Sequence, residues 1–508
     1  MNTALANSWK ADQIPDVDSP GARNGGEDNR DRPGGETPLL LALMGDCTFL
    51  CDASDDTPLA IIPVDGHREL HRLKSRRFAA IVRRRFFERT RTAPKEQAFN
   101  DAMRTLEAHA LNGCAVKTWL RVAEHDGALW FDLCDEKWRA VRVTKDGWEI
   151  VAQPPVQFLR NRGMGALPEP ERGGDFGALW RFLNVSEEYR PLVAGFLINA
   201  FRPCGALPLL ALTGEQGTAK STSARVLRSL IDPSTVPLRS PPRDEGALLV
   251  SALASWIVCF DYLSGLSPWL SDGLCRLATG GGLAKRALYT DTEQVLADIR
   301  RPAIINGIED VASRPDLAER TFAVELAIIP EEQRRAESEF WHDFDAEHPR
   351  LLGAILDALC AALRNREETA RQMTRLPRMA DAAIWATAAE SALGFAPGAF
   401  MAALRRNQDE AATLAVEHSP VALALRKLMA EREEWEGTPT ELLAEIIKLS
   451  EESERRAEGW PKSPAALSQK IKRAAPALRR VGIHANAERT GTKRTRQWII
   501  ARKPAAQH

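Results

Sequence analysis

The sequence predicts a multidomain α/β protein, with an α+β N-terminal module, a central α/β core, a helical region and a basic C-terminal winged helix. Three observations support this fold class. The 508 residues exceed one ordinary domain, apolar runs alternate with helical stretches in the middle of the chain, and positive charge collects at the C-terminal end. The predicted parts are a disordered segment 1–36, the α+β module 37–162, the α/β core 176–330, the helical region 331–434 and the winged helix 437–503.

The composition is that of a soluble globular protein. Hydrophobic residues make up 44% of the chain and charged residues 27%, with a net charge of -1. Eight scattered cysteines suit a reducing compartment, and no signal-like start or apolar run of spanning length is present. We therefore expect a cytoplasmic protein without a membrane partner.

The N-terminal half contains several local signals. Residues 1–36 are rich in Asp, Gly, Asn, Arg and Pro, which predicts disorder. Alternation over 59–64 predicts a strand, and 95–111 predicts an amphipathic helix. Two Asp-Gly pairs, at Asp126 and Asp146, interrupt alternating runs over 116–151 and predict an antiparallel meander. The Pro/Gly-rich residues 163–175 are typical of a linker.

A glycine-rich loop follows the apolar run 207–212 and precedes an amphipathic helix. The order strand, GEQGTAKS and helix matches the pattern G-x-x-x-x-G-K-[ST], in which backbone N–H groups at a helix N-terminus hold phosphates. Lys220 would reach the β- and γ-phosphates and Ser221 would bind Mg²⁺. The predicted cofactors are ATP and Mg²⁺, and the binding residues are Gly214, Glu215, Gln216, Gly217, Thr218, Ala219, Lys220, Ser221 and Thr222.

One position in this loop departs from the pattern. Ala219 stands where the last glycine is usual, and we expect it to enter the helix with a right-handed backbone that suits alanine. Gly217 remains for the tight turn. The alternative is a loop of small residues that matches the pattern by chance.

An acidic residue ends the next buried run. Residues 256–260 read as a strand, and Asp261 at its end would hold Mg²⁺. A second acid to polarise the attacking water is usual next, but Tyr262 occupies that place. Either one of Asp272, Asp244 and Glu245 serves as the general base, or ATP hydrolysis is slow. An ordinary turn aspartate is the alternative.

Two further polar features follow in the same order. Asn306 ends the apolar run of RPAIINGIED, where an amide can bond the γ-phosphate or its water; alone, Asn-Gly is a turn. Arg314 and Arg320 follow in RPDLAER, and an arginine there can stabilise transition-state charge in a neighbouring subunit. The alternative for Arg320 is an ion pair with Asp316 or Glu319. The predicted catalytic set comprises Lys220, Asp261, Asn306, Arg320 and Arg314.

The ordered set GEQGTAKST, WIVCFD, IING and RPDLAER resembles the AAA+ superfamily, specifically the superfamily-three helicase branch of phage and plasmid primase-helicases and related mobile-element ATP-binding proteins. The resemblance covers residues 176–330 well and the rest loosely. It implies an ATP hydrolase that assembles into a ring, hexameric in this family, and works with a separate primase. It also implies a DNA-contacting hairpin where SDGLCRLATGGGLAKRALYTDTEQV lies, with a solvated loop as the alternative. Its contacts would be Lys285, Arg286 and Tyr289.

The C-terminal end predicts DNA binding. Helix 439–449, a helix-turn-helix pair over 461–483 and a closing hairpin strand give winged-helix order, and 462–503 holds 12 Lys and Arg against one Glu. A protein-binding winged helix is the alternative. The predicted DNA contacts here are Lys470, Lys472, Arg473, Arg479, Lys493, Arg494 and Arg496.

Two weaker signals lie in the N-terminal module. Residues 71–91 are basic and interleaved with aromatics, which fits either nucleic-acid contact or an amphipathic helix with a basic outer face. Cys47, Cys51, His67 and His71 imitate a zinc-finger spacing without a finger core.

The leading functional hypothesis is an ATP-dependent DNA helicase or translocase in phage or mobile-element replication. The alternative is a DNA-binding ATP switch, an initiator or regulator that assembles on DNA without unwinding. Tyr262 favours the switch, whereas the expected pore hairpin favours the motor.

Overall fold

The computed structural model describes residues 35–263, 265–286, 294–307, 315–457, 459–490 and 495–503. Side chains of residues 282–298, 315, 489–490 and 495–496 are outside this description, as is nearly all of the segment predicted to be disordered. The chain divides into two compact units, the first Met1–Arg142 with Glu149–Leu167 and the second Val143–Trp148 with Pro168–His508. A mixed helical and sheet multidomain fold is confirmed.

The first unit combines helices with short sheets. Its elements are α1 (Glu36–Ala42), β1 (Thr48–Asp52), β2 (Pro58–Val64), β3 (His67–Arg72), α2 (Arg76–Thr90), α3 (Glu96–Leu111), β4 (Cys114–Val116), β5 (Thr118–Trp119), β6 (Val122–His125), β7 (Ala128–Asp132), β8 (Ala140–Val143), β9 (Trp148–Val151) and β10 (Gln157–Phe158). The sheet orders are β3-β2-β1-β4, β10-β5 and β6-β7-β8-β9.

Local chemistry explains the main elements of this unit. Asp126 and Gly127 both have positive φ and close the β6–β7 hairpin, as an Asp-Gly turn requires. Ser75 caps α2 by accepting a hydrogen bond from the Phe78 N–H at 3.1 Å. The apolar faces of α2 and α3 pack on β2 in one buried cluster, which confirms the predicted helix and strand. The strand order β6-β7-β8-β9 is that of the predicted meander.

The second unit begins with a 3₁₀ helix (Phe176–Arg181) and is built on a parallel sheet. Its elements up to residue 333 are α4 (Arg190–Ala200), β11 (Leu209–Thr213), α5 (Lys220–Ile231), α6 (Glu245–Ala254), β12 (Val258–Leu263), α7 (Pro268–Thr279), β13 (Gly282–Arg286), β14 (Gln294–Asp298), β15 (Ala303–Gly307), α8 (Pro315–Ala318), β16 (Thr321–Glu325) and a 3₁₀ turn (Glu331–Gln333). The strands β12-β15-β11-β16 form one sheet, and all its pairings are parallel.

Helices cover both faces of this sheet, as a buried parallel sheet requires. Helices α6 and α7 pack on one face through an apolar cluster that includes Leu209, Val258 and Ile305. Helices α4 and α5 contact the sheet as well, α5 through β11, β12 and β15. Because all four strands point the same way, the residues that follow them meet at one edge.

The remainder of the second unit is mainly helical and ends in a small sheet. Its elements are α9 (Glu337–Gln372), α10 (Ala380–Ala389), α11 (Ala399–Glu417), α12 (Pro420–Leu428), β17 (Glu434–Gly437), α13 (Pro439–Leu449), α14 (Glu452–Arg456), α15 (Pro464–Arg480), β18 (Ile483–Thr490) and β19 (Thr495–Arg502). The antiparallel sheet β17-β19-β18 shares one apolar cluster with α11, α12, α13 and α15.

The helix-turn-helix pair predicted over 461–483 is wrong. Residues 464–480 form the single helix α15, which runs through Pro476. Its buried residues Leu467, Ile471 and Leu478 keep helical spacing across the proline. A continuous apolar face therefore outweighs the backbone hydrogen bond that Pro476 cannot donate.

The predicted linker is also wrong for its second half. The Glu171 N–H donates to the Pro349 carbonyl at 2.9 Å, inside the second unit. Added Cβ atoms at Gly174 and Gly353 would overlap the carbonyl oxygens of Arg350 and Glu171. Residues 168–175, the docking strap, therefore lie against α9. None of the described helices is both long and apolar enough to cross a bilayer.

Candidate nucleotide-binding site

The glycine-rich loop (residues 214–219) connects β11 to α5 at the carboxyl edge of the parallel sheet. Gly214 and Gly217 have φ of 130° and 83°, in the region that favours glycine. A Cβ at Gly214 would lie 2.5 Å from the Leu326 carbonyl oxygen, so a larger residue would displace the segment that follows β16. The loop thus turns tightly into the positive end of a 12-residue helix.

The expectation for Ala219 is wrong. Its φ of 62° and ψ of 30° are left-handed, because α5 begins only at Lys220 and residue 219 still belongs to the turn. An alanine in this conformation costs about 1–2 kcal/mol. The strain lies directly beside the proposed phosphate contacts, where functional sites commonly store it.

Lys220 lies over the loop. Its Nζ donates to the carbonyl oxygens of Gly214 and Glu215 at 2.7 and 2.5 Å and contacts the Thr218 hydroxyl at 3.3 Å. Burial lowers the pKa of Lys220, and the charge of Asp261 partly offsets this. The interaction brings together two residues that are 41 positions apart in the sequence. Ser221 and Thr222 occupy the first turn of α5, half-buried beside Lys220.

Asp261 lies on β12 at an irregularity in its pairing with β15. The register shifts between Phe260 and Leu263, and Tyr262 has a left-handed φ of 60°. The Asp261 side chain is buried and its Oδ1 accepts the Tyr262 N–H at 2.8 Å. Tyr262 is 86% exposed, so the bulge turns the phenol to solvent and leaves the carboxylate at the site.

Asn306 lies on β15, between the strand that leads into the glycine-rich loop (β11) and the strand that contains Asp261 (β12). It pairs in register with Leu212 on β11, and on its other side β15 meets the irregular part of β12 that contains Asp261. Its side chain is 1% exposed, and neither Oδ1 nor Nδ2 has a hydrogen-bond partner within the described parts of the chain. An unbonded buried amide is costly, and such groups in folded proteins commonly await a ligand or water.

Two residues near the loop carried no sequence motif. Asn184 Nδ2 donates to the carbonyl oxygens of Thr218 and Ala327, at 3.2 and 2.6 Å, and so ties the loop to the segment after β16. The Arg334 guanidinium lies beside Gly217, 3.6 Å from the position that a Cβ atom would occupy there. Neither could be recognised from spacing, because each reaches the loop through the tertiary fold.

Arg320 lies at the opposite edge of the sheet. Its carbonyl accepts the Leu209 N–H at 2.9 Å, at the start of β11, whereas the loop follows the end of that strand. Four residue steps of about 3.3 Å separate the two edges by roughly 13 Å. The predicted ion pair of Arg320 is not formed, because Arg378 pairs with Asp316 and Glu319 while Arg320 donates to the Asp316 carbonyl. Arg314 lies outside the described residues.

The three candidate bases differ in their surroundings. Asp244 caps α6 by accepting the Ala247 N–H at 2.8 Å, and Glu245 pairs with Arg276. Both carboxylates are therefore engaged in holding helices. Asp272 lies in α7 and stays a prediction.

The predicted DNA-contacting segments are a hairpin and a helix. Strands β13 and β14 pair antiparallel, with Lys285 opposite Val295 and Arg286 opposite Gln294, so the segment forms a hairpin, and its contact with DNA stays a prediction. Tyr289, Lys493 and Arg494 lie outside the described residues, and only the backbone of Arg496 is described, in β19. The basic residues that α15 leaves exposed or half-buried include Lys470, Lys472, Arg473 and Arg479.

The contacts of Cys47, His67 and His71 do not support a zinc site in the N-terminal module. Within the described residues, no three His, Cys, Asp or Glu side chains are placed to hold a metal. His67 and His71 both bond Glu69, at 3.3 and 2.6 Å. Burial, with Asp46 nearby, raises the pKa of Cys47 to about 12 and keeps its thiol protonated.

Two stretches of the chain match models of known protein families. Residues 177–410 match the family of the actinomycete integrative conjugative element replication protein, and residues 421–508 match the C-terminal domain of the same replication protein. The chain is thus a replication protein of a mobile element. Over these stretches, more than half of its length, it belongs to the replication-protein family of actinomycete integrative conjugative elements.

Solved structures with distant similarity were also found. One is described as "SCCmec type IV Cch - active helicase" (13% identity, 89% of this chain and 92% of that chain, TM-score 0.47). Another is the apo NrS-1 C-terminal region (12% identity, 92% and 98%, TM-score 0.40). No curated protein matches the chain.

Proposed function

We propose that this replication protein is an ATP-dependent DNA helicase or translocase with an AAA+ core of the superfamily-three type. The observation that carries the proposal is the buried, unbonded amide of Asn306 between the strand of the glycine-rich loop and the strand of Asp261. A donor and acceptor held there without a partner fit a group that arrives from outside the chain, such as a phosphate or its attacking water.

The other residues at this edge fit MgATP. The loop N–H groups and the α5 N-terminus would hold phosphates, and Lys220 would exchange its carbonyl partners for phosphate oxygens. Ser221 and Asp261 supply the oxygen ligands that Mg²⁺ prefers. Bound Mg²⁺ would neutralise charge on the phosphates.

Arg320 would complete the nucleotide site of a second subunit. Because Arg320 lies roughly 13 Å across the sheet from its own loop, it is better placed to serve a neighbour than its own nucleotide. Its Nε is buried without a partner in the described structure. A head-to-tail interface of this kind closes into a ring.

DNA contact is assigned to the β13–β14 hairpin and to the C-terminal part. The order α12, β17, α13, α14, α15, β18 and β19, with the sheet β17-β19-β18, supports a winged helix in which α14 is a short addition. The exposed basic residues of α15 would contact phosphates. A DNA-binding ATP switch is the second candidate, favoured by the solvent-facing Tyr262 in place of a second acid.

The deciding experiment measures ATP hydrolysis and unwinding of a forked duplex by the full chain, with ATP and with a non-hydrolysable analogue. A motor unwinds only with ATP, whereas a switch binds DNA without unwinding. Lys220→Ala should abolish hydrolysis, and Lys74→Ala, an exposed lysine of the first unit, is the matched control. Hydrolysis by the Lys220 variant at the parental rate would show that the site is wrongly assigned.

The C-terminal contact needs its own variants. Truncation from residue 437 would expose the apolar cluster that the tail shares with α11 and α12. Charge reversal on the surface of α15 is therefore the more specific test of DNA contact. Lys472→Glu with Arg473→Glu should weaken DNA binding and flatten its salt dependence. The paired reversal of Arg455 and Arg456 on α14 changes charge equally and should have little effect. Equal affinities for both would favour a protein-binding winged helix.

A further inference from the structure

The first unit contains an open cleft of about 980 Å³ that the proposed function does not use. The end of β3, the first turn of α2, the β7–β8 turn and residues 159–164 surround it. Five arginines line it: Arg72, Arg76, Arg77, Arg160 and Arg162. Arginine binds phosphate bidentately and stays charged at any physiological pH.

Arginines outnumber acids in the lining, where Arg77 and Arg160 already pair with carboxylates and two of the acids are engaged as well. Of the three carboxylates in the lining, Glu69 bonds His71 at 2.6 Å and Asp135 bonds Arg139 at 2.6 Å. Burial raises the pKa of Glu69, but hydrogen bonding and charge from His71, helped by Arg77, lower it to about 2. Glu69 is therefore ionised and already paired at neutral pH.

Two of the arginines are available to a ligand. The guanidinium groups of Arg76 and Arg162 are exposed and make no hydrogen bond or ion pair with the residues that the structure describes. Arg76 and Arg77 also stand in the first turn of α2, which contains no acidic residue. Positive charge at the positive end of a helix is unfavourable unless an anion lies there.

The geometry favours a nucleic-acid backbone over a base or a free nucleotide. Trp138 is the aromatic residue of the lining, and the Arg160 guanidinium covers its ring at 3.9 Å. That face is closed to base stacking, because the guanidinium that covers it is held in place by its ion pair with Asp132. Trp138 and Cys134 both have left-handed φ, at 54° and 55°, so this turn is strained beside the cleft.

We propose that this cleft binds the phosphodiester backbone of a single DNA strand, independently of base sequence. Its volume equals that of a cube about 10 Å on a side, which is narrower than the major groove of a duplex alone (about 12 Å) and therefore suits one strand better than two. Its lining residues all belong to the first unit, whereas the nucleotide site and the basic C-terminal helix belong to the second. The cleft would give the protein a further DNA-binding site that does not depend on ATP.

The test uses the full chain without nucleotide, and fluorescence anisotropy of labelled oligo(dT) and of an abasic strand of equal length. Arg76→Glu with Arg162→Glu should weaken binding of both strands roughly tenfold. Since each phosphate contact on a single strand contributes about 0.7 to the salt slope, two lost contacts should flatten it by about 1.4. Arg84→Glu with Arg89→Glu, exposed on the same helix outside the cleft lining, is the matched control and should change neither value.

Unchanged affinity and slope in the cleft variant would overturn the inference, as would an equal loss in the control. A loss for oligo(dT) without a loss for the abasic strand would also overturn it, because the bases would then be read. If the α15 variant loses affinity and the cleft variant does not, the inference fails while the proposed function stands.

Discussion

Replacement of Asn306 by leucine should stabilise the protein and abolish its ATP hydrolysis. The two side chains have similar size, and the Asn306 amide is buried without a partner in the described structure. A buried unsatisfied polar group costs about 1–3 kcal/mol, so its removal should raise the free energy of unfolding by about 1–2 kcal/mol. Loss of a donor aimed at developing charge should lower kcat by about 10²–10³-fold.

Asn199→Leu provides the matched control. Asn199 is equally buried, but its Nδ2 donates to the carbonyl oxygens of Gly195 and Ala382 at 2.8 and 3.0 Å, and its Oδ1 accepts from Arg202 at 2.6 Å. Its replacement removes three buried hydrogen bonds, the shortest of them to the Arg202 guanidinium, so it should cost about 3 kcal/mol or more. Urea unfolding followed by tryptophan fluorescence and steady-state ATP hydrolysis measure the two effects.

The reasoning would be refuted if Asn306→Leu destabilised the protein as much as Asn199→Leu. Hydrolysis at the parental rate by a stabilised Asn306→Leu variant would equally exclude a role for the amide in the reaction. A stabilised and inactive variant is the outcome that we expect.

Three further predictions concern strain, pH and assembly. Ala219→Gly should raise the melting temperature, by relieving about 1 kcal/mol of left-handed strain, and should retain ATP hydrolysis; a lower melting temperature would contradict the observed backbone. Burial lowers the pKa of His348 to about 4. As the pH falls, the unfolded chain therefore binds the proton before the folded protein does. The free energy of unfolding should be constant above about pH 6.5 and should fall by about 3 kcal/mol between there and pH 4. His348→Leu should remove that decline in pH-dependent urea unfolding. Arg320→Ala and Lys220→Ala, each inactive alone, should partly restore hydrolysis when mixed, and a lasting absence of activity would argue against a shared site.

The part of the candidate site that follows local patterns could be predicted from the sequence. The apolar run before the glycine-rich loop, the run before Asp261 and the run containing Asn306 are all strands of one parallel sheet. Parallel order then brings the three features to one edge, because the carboxyl ends of such strands coincide. Short-range periodicity and turn chemistry carry enough information for this step.

The remaining features depend on contacts between distant residues. Asn184 reaches Ala327 across 143 positions, and no spacing rule predicts such a pair. The left-handed Ala219 escaped prediction because a helix start is uncertain by a residue, and one residue decides whether the position belongs to the turn. The predicted helix-turn-helix pair failed because the apolar face on either side of Pro476 keeps α15 continuous.

The docking strap has a consequence for how such chains can be recombined. Residues 168–175 fit against α9 only because Gly174 and Gly353 both lack side chains, although they are 179 positions apart. A crossover between related genes anywhere in that interval would join a strap from one parent to a helix from the other. Any parent with a larger residue at either position would yield an ill-fitting hybrid. The whole interval is therefore expected to be inherited as one block, and a fragment made to isolate the central sheet should begin at or before residue 168.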